Sequence, residues 1–285
     1  MIFYPEGLES HLHKNIDAPC GKYLIGRCKE MITNQQLVIN NLEEKIRLFT
    51  QAVNGDFIKE EDFVLANTEI PTDTFNILLP KSPFIKNAFN IRSSIENMSL
   101  KEYPFSTWID SRYLNAGWKD LMQEYDLKEA ERNVMMKLEN TLNVGQRKSN
   151  QLAITHVRNF EELKEYKEVF ISLFEGTPEK DALENYFNKF SEVNFGPEIQ
   201  MFIGRVGEIT VSTGLLIDSA ESYGIYDVMT KETYRGKGYG SEMFHYLLTQ
   251  TKDEQKPVVL QASEGGKNIY KRFGFIDVGE MVVFE

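Results

Sequence analysis

Apolar and polar positions divide the chain into short segments whose period switches between two and about 3.6. Leu152 to Arg158 alternates and reads as a strand. Asn159 is placed to cap a helix, with Glu162 three residues on, and Phe160, Leu163, Val169, Phe170, Leu173 and Phe174 follow helical spacing. A second helix is expected from Lys180 to Phe190. Strands are expected at Gln200 to Arg205, Ile209 to Ile217 and Tyr223 to Met229, the first two joined by a hairpin turn at Val206-Gly207-Glu208. A glycine-rich turn then opens a helix from Gly238 to Thr251, with Met243, Phe244, Leu247 and Leu248 as its buried stripe. An apolar strand at Pro257 to Ala262, a short helix at Lys267 to Phe273 and a strand from Phe275 to Phe284 complete the order β-α-α-β-β-β-α-β-α-β. That order predicts a layered α/β domain with a mixed sheet.

The first half also reads as α/β. Helices are expected at Asn40 to Val53, from a cap at Ser82 through Met98, and at Arg112 to Tyr125. Strands are expected at Asp62 to Ala66, Phe75 to Leu79, Phe105 to Ile109 and Asn133 to Leu138. Its closing strand-helix-strand echoes the end of the second half. The polar stretch 140–150 lacks apolar periodicity and reads as a linker, which places one domain at 1–145 and another at 151–285.

Composition adds limits rather than detail. The chain of 285 residues is 41% hydrophobic, enough for two ordinary domains. No apolar run approaches the roughly 18–20 residues that span a bilayer, and the first residues lack the features of a secretory signal. Cys20 and Cys28 make neither a disulfide framework nor a zinc site, and His11-Leu12-His13 lacks the partners of a metal site. A cytoplasmic protein without a bound metal is expected. A net charge of −11 argues against non-specific nucleic-acid binding and is compatible with a cationic substrate.

The most informative segment is Tyr226-Asp227-Val228-Met229-Thr230-Lys231-Glu232-Thr233-Tyr234-Arg235-Gly236-Lys237-Gly238-Tyr239-Gly240-Ser241. A strand runs into a turn with three glycines, and the turn opens a helix. Such a turn points successive backbone N–H groups into one hollow, and the helix adds its free N–H groups and the positive end of its dipole. Arg235 and Lys237 add full charges. The physics is that of an anion site suited to a pyrophosphate. The Walker loop requires a spacing that Gly236-Lys237-Gly238 does not supply, and the Rossmann fingerprint fails by one in spacing because Ser241 follows Gly238-Tyr239-Gly240. The pattern [QR]-x-x-G-x-[GA] is met by Arg235, Gly238 and Gly240.

That pattern resembles the coenzyme-A loop of GNAT acetyltransferases. A second segment strengthens the resemblance. The strand Val258-Val259-Leu260-Gln261-Ala262-Ser263 is followed by Tyr270-Lys271-Arg272-Phe273-Gly274-Phe275, similar to the closing motif of the same family. The resemblance covers 152–285. It implies a GNAT fold, a mixed central sheet flanked by helices, with acetyl-CoA as cosubstrate and an amine as acceptor. A fainter match over Pro104 to Trp108, Leu121 to Leu127 and Met135 to Leu138 resembles the first half of two-domain GNAT proteins. No coenzyme-A loop exists before Asn150, so the first half would be a degenerate GNAT-like domain that packs or shapes the acceptor site.

The resemblance also assigns roles. Val228, Met229 and Thr230 would pair with the pantetheine arm, and Arg235, Gly236, Lys237, Gly238, Tyr239, Gly240 and Ser241 would hold the pyrophosphate. A main-chain N–H near Val228 or Met229 would face the thioester carbonyl. Tyr270 matches the tyrosine that protonates the departing thiolate, or else packs the short helix on the sheet. Ser263 and Asn268 orient the coenzyme or Tyr270, or serve as caps. Asp227 is the first candidate for the base, ahead of Glu221, His156 and His245, and could equally be a plain surface charge. Three readings remain at this point: an N-acetyltransferase acting on a primary amine, a non-catalytic coenzyme-A-binding regulator, and an acyltransferase using a longer acyl-CoA. The sequence names neither the acceptor nor the oligomeric state.

Overall fold

The computed structural model describes residues 32–139, 151–190, 196–251 and 255–285. The expected linker at 140–150, both cysteines and the His11–His13 pair lie outside these residues. Residues 32–285 form one compact unit.

The first half begins with α1 (Asn34–Ala52), capped by Thr33, and a hairpin of β1 (Asp56–Lys59) and β2 (Phe63–Asn67). β3 (Ile77–Pro80), α2 (Ala88–Ser99), β4 (Ser106–Asp110), α3 (Ala116–Glu124) and β5 (Glu129–Leu138) follow. The second half opens with β6 (Ala153–His156), α4 (Phe160–Ile171) and α5 (Glu179–Asn188). It continues with β7 (Ile199–Val206), β8 (Ile209–Asp218), β9 (Tyr223–Thr230), α6 (Tyr239–Gln250), β10 (Val258–Ser263), α7 (Lys267–Lys271) and β11 (Ile276–Phe284).

Local chemistry explains most boundaries. Asn159 Oδ1 accepts the Glu162 N–H at 2.9 Å, and Glu162 Oε2 reaches back to the Arg158 N–H at 2.8 Å, one residue before the cap. Ser82 does not cap a long helix as the sequence suggested. Its hydroxyl accepts the Phe84 N–H, and the Asp62 carboxylate accepts the N–H groups of Lys86 and Asn87, so α2 starts only at Ala88 with Asn87 as cap. The helix expected from Arg112 likewise starts later. Arg112 turns back to pair with Asp110, and Asn115 caps α3. The short strand β1 carried no sequence signal.

The sheet has eleven strands in the order β1-β2-β3-β4-β11-β5-β10-β9-β8-β7-β6. β1, β2, β3 form a meander, β3 and β4 are parallel, and α2 connects them. β7, β8, β9 form a second meander, β9 and β10 are parallel, and α6 connects them. The chain thus repeats one motif, and the closing strands are exchanged. β5 runs antiparallel beside β10, β11 runs antiparallel beside β4, and β5 and β11 pair with each other at the centre. The described parts of both halves share one sheet.

Helices cover both faces. On one face α1, α4 and α5 bury Ile39, Leu42, Tyr166, Leu183 and Tyr186 against β7, β8, β9 and β11. Below β8 and β9, α6 seats Met243, Phe244 and Leu247 with Leu260 and Phe275. α2 and α3 cover the first half with Ile91, Ile95 and Trp118. Although α1 belongs to the first half, it crosses to the second. Asn41 Nδ2 donates to the Ser222 carbonyl at 3.0 Å, and Tyr226 Oη donates to Asn41 Oδ1 at 3.0 Å. Among the described residues no helix is long and apolar enough to cross a membrane.

Candidate active site

β9 and β10 are parallel neighbours only at Val258↔Tyr223 and Val259↔Gly224. Beyond those pairs they diverge, while β10 stays fully paired with β5 on its other side. The β10-facing edge of β9 is therefore left without a ladder partner from Tyr226 onward. Main-chain donors and acceptors on such an edge can accept an added extended segment.

The same stretch of β9 is kinked. Thr213 pairs with Met229 and Leu215 with Tyr226, so Asp227 and Val228 together oppose Gly214. Asp227 holds φ 49°, in the left-handed region. This is a β-bulge, which re-aims the backbone and side chains. Two hydroxyls of β8 pin it: Thr213 Oγ1 donates to the Asp227 carbonyl at 2.9 Å and Ser212 Oγ to the Met229 carbonyl at 2.7 Å. As a result Val228 and Thr230 face one cavity and Asp227 and Met229 another.

The first cavity, of about 410 Å³, lies on the α6 side. After β9 the chain makes a short helical turn at Glu232–Tyr234, and Arg235 Nε donates to the Thr230 carbonyl at 3.1 Å. Gly236 and Gly238 then take φ 76° and 89°, a conformation costly for other residues, and Gly238 caps α6. Among the described residues, no hydrogen bond uses the N–H groups from Gly236 to Ser241. These donors and the positive end of α6 converge on one hollow, which fits a pyrophosphate.

Of the residues the sequence singled out, Val228, Thr230, Arg235, Gly236, Gly238, Tyr239, Gly240, Ser241 and Tyr270 line this cavity. Met229 does not, because the bulge turns its side chain to the opposite face. Lys237 lies over the Tyr234 ring, 5.0 Å from its centroid. Ser263 Oγ accepts the Gly266 N–H at 3.2 Å and so shapes the turn before α7, and Asn268 is exposed. Sequence reasoning missed Arg272, a cation two residues beyond Tyr270 that lines the cavity, and Phe244 and Ile269, which wall it. Arg272 stands inside the closing motif, and no separate sequence signal marked it.

Tyr270 packs its ring 4.8 Å from that of Phe244, and burial raises its hydroxyl above the usual tyrosine range. Such a phenol stays protonated at neutral pH and can donate a proton.

Asp227 stands on the other face. Its carboxylate accepts from Tyr166 Oη at 3.0 Å and from Lys45 Nζ at 3.3 Å. Burial is the main cause, and the Asp227 charge the second, that keeps the Tyr166 hydroxyl well above its usual range. Glu221 accepts from Asn40 Nδ2 at 2.9 Å in the turn before β9. His156 lies near the β6 edge, its pKa lowered by burial, and His245 packs near Phe273 on α6. Neither histidine lines either of the two cavities beside the bulge. Among the described residues no group of three or more His, Cys, Asp or Glu could hold a metal ion.

A split between parallel strands, a bulge at the split and a glycine cradle at the next helix are the features of a GNAT-type fold. Residues 162–285 match the family model for the acetyltransferase (GNAT) domain. No curated protein matches the sequence. Among solved structures, a GCN5-related N-acetyltransferase from Kribbella flavida is similar over 87% of this chain and 95% of its own, at 13% identity and TM-score 0.62. A functionally unknown conserved protein from Staphylococcus epidermidis is similar over 81% and 94%, at 16% identity and TM-score 0.60. A tandem GNAT protein from the clavulanic acid biosynthesis pathway is similar over 88% and 95%, at 9% identity and TM-score 0.51. At these identities the likeness is one of fold.

Proposed function

We propose that the protein is an acetyl-CoA-dependent N-acetyltransferase acting on a primary amine. The observation that carries this reading is the unpaired edge of β9 at its bulge, running directly into the free N–H groups of Gly236 to Ser241. In this reading the pantetheine arm adds to the β9 edge, and the pyrophosphate rests on the glycine turn with Arg235 and Arg272 nearby. A main-chain N–H at Val228 or Met229 faces the thioester carbonyl, where oxyanion charge develops. The amine nitrogen attacks the carbonyl carbon, the C–N bond forms and the C–S bond breaks. The thiolate takes the Tyr270 proton, and the ammonium formed on nitrogen releases its proton to solvent or to a cavity carboxylate.

The first half is read as a degenerate GNAT-like unit at 1–145. The segment of the first half equivalent to the glycine turn, 81–87, contains Pro83 and no glycine, so it offers no comparable cradle. Its contribution to the reaction is α1 and the loop before β3, which enclose the acceptor side of the bulge.

A thiol-release assay with acetyl-CoA and a panel of primary amines tests the reading. Thiol release that requires both the donor and an amine supports it. Tight acetyl-CoA binding with no amine-dependent release across the panel would favour a coenzyme-A-binding regulator instead.

A further inference from the structure

The second cavity at the β9 bulge has a volume of about 670 Å³. Residues of both halves line it. Its walls are aromatic: Phe49, Phe75, Trp108, Phe170, Phe174 and Tyr186 all face it. Phe75 and Tyr186 stack at 3.7 Å between ring centroids, and Tyr186 Oη is fixed by the Phe49 carbonyl at 2.9 Å. Asp227 and Met229, side chains of the bulge itself, form one end. A hollow of this size with an aromatic lining, beside the unpaired edge of β9, has the dimensions and walls of a small-molecule site.

The charges in the cavity are uneven. At the bulge, Asp227 is already matched by Lys45. Away from the bulge, Asp73, Glu131, Glu179 and Glu285 also line the cavity, and none of them is in an ion pair among the described residues. Asp73 lies against Glu179, whose carboxylate accepts from the Thr72 hydroxyl at 2.6 Å. Lys45 is the one Lys or Arg side chain among the described residues lining the cavity. Asp73 and Glu179 are half-buried beside the apolar walls and Glu131 and Glu285 are exposed, so four carboxylates without an ion-pair partner among the described residues give this end of the cavity a negative field that favours a cation.

Distance sets the spacing of the ligand's groups. Glu131 is on β5, two strand steps from β9, and Glu285 follows β11, three steps away. Paired strands lie about 4.8 Å apart and β9 and β10 splay wider at the bulge, so the acidic end lies at least roughly 10–14 Å from the bulge backbone, a gap that the reach of the side chains shortens by a few ångströms.

We infer that the acceptor is a diamine or a similarly dicationic amine. One nitrogen reacts at the β9 bulge, the apolar body lies on the Phe75–Tyr186 wall, and the second cation is held by Asp73, Glu131, Glu179 and Glu285. This inference rests on the N-acetyltransferase reading and names its substrate class.

The test uses three probes of equal length that differ at one end: 1-aminohexane, 1,6-diaminohexane and 6-aminohexanoate. Acetyl-CoA affinity is first measured by titration for the wild type, Glu131→Gln and Glu179→Gln. Glu131 is exposed on β5, so its variant folds even if the Glu179 variant does not. The expected result is a kcat/KM for the diamine at least about tenfold above that for the monoamine, with the carboxylate probe poorest. The ratio of diamine to monoamine falls several-fold in each folded variant, while acetyl-CoA affinity holds. Equal use of all three probes, a ratio unmoved by Glu131→Gln, or acetyl-CoA binding with no probe acetylated would overturn the inference and leave the donor site standing. Failure of the wild type to bind acetyl-CoA would overturn the N-acetyltransferase reading itself, and this inference with it.

Discussion

Lys45 Nζ lies 3.3 Å from Asp227 Oδ1, and this contact ties α1 of the first half to the bulge at the centre of the second. The Asp227 side chain is 8% exposed and that of Lys45 21%. A nearly buried carboxylate whose cation is removed keeps its desolvation cost and loses its partner. Lys45→Met should lower stability by about 1–3 kcal/mol, discounted for the partial exposure of Lys45. It should also lower kcat, because Asp227 sits in the left-handed turn of the bulge. Denaturant melts and steady-state rates check both effects. A variant as stable and active as the wild type would show that the contact neither holds the bulge nor docks α1.

The same docking makes Gly224 intolerant of a side chain. An added Cβ would stand 1.8 Å from Asn41 Oδ1 and 2.6 Å from the Tyr226 ring. Asn41 is fully buried and bonded to Ser222 and Tyr226, so it cannot step aside. Gly224→Ala should cost about 1–3 kcal/mol or more, as overpacking does, measured by thermal or urea unfolding. A neutral substitution would mean that α1 is not seated against β9 as described.

Tyr270→Phe keeps the ring against Phe244 and removes only the phenol. Loss of a general acid should lower kcat by about 10²-fold or more while acetyl-CoA affinity stays within about twofold. The pH profile gives a second readout. Burial raises the Tyr270 hydroxyl above its ordinary value, so the protonated form persists to higher pH and Tyr270 contributes no alkaline fall in kcat below about pH 10. Unchanged kcat in the phenylalanine variant would reduce Tyr270 to a packing residue.

Asp73 predicts a pH dependence of stability. Burial, first, and the neighbouring Glu179 raise its carboxyl from 3.8 to about 7 in the folded protein. The folded state thus binds a proton that the unfolded state has released. The contribution is fully present below the unfolded value and is lost as pH rises through the folded one, so stability should fall between about pH 4 and pH 7 from this group. Asp73→Asn should flatten that slope. Unfolding melts of both proteins across this range check it, and identical slopes would contradict the assignment.

The glycine turn and its cavity were legible in the sequence because their chemistry is local. Gly236 and Gly238 need left-handed backbone within three residues of each other, and Tyr270 follows β10 at short range, so contiguous strings carried the information. The second cavity was not legible. Lys45, Asp73 and Glu285 come together only because α1 crosses to the second half and because β5 and β11 exchange places, and no periodicity reports either event. The bulge hid a further point. It sets consecutive Tyr226 and Asp227 on one face and moves Met229 away from the donor cavity, which a strict alternation of side chains does not reveal.

The central claim is that acetyl-CoA rests on the glycine turn beside the open edge of β9. Isothermal titration of acetyl-CoA into the wild type and into Gly238→Glu tests it most directly. That substitution forces a side chain into φ 89° and sets a carboxylate among the anion-binding N–H groups. Micromolar binding by the wild type and a loss of at least about two orders of magnitude in the variant are expected. Absence of binding to the wild type, or equal binding to both, would contradict it.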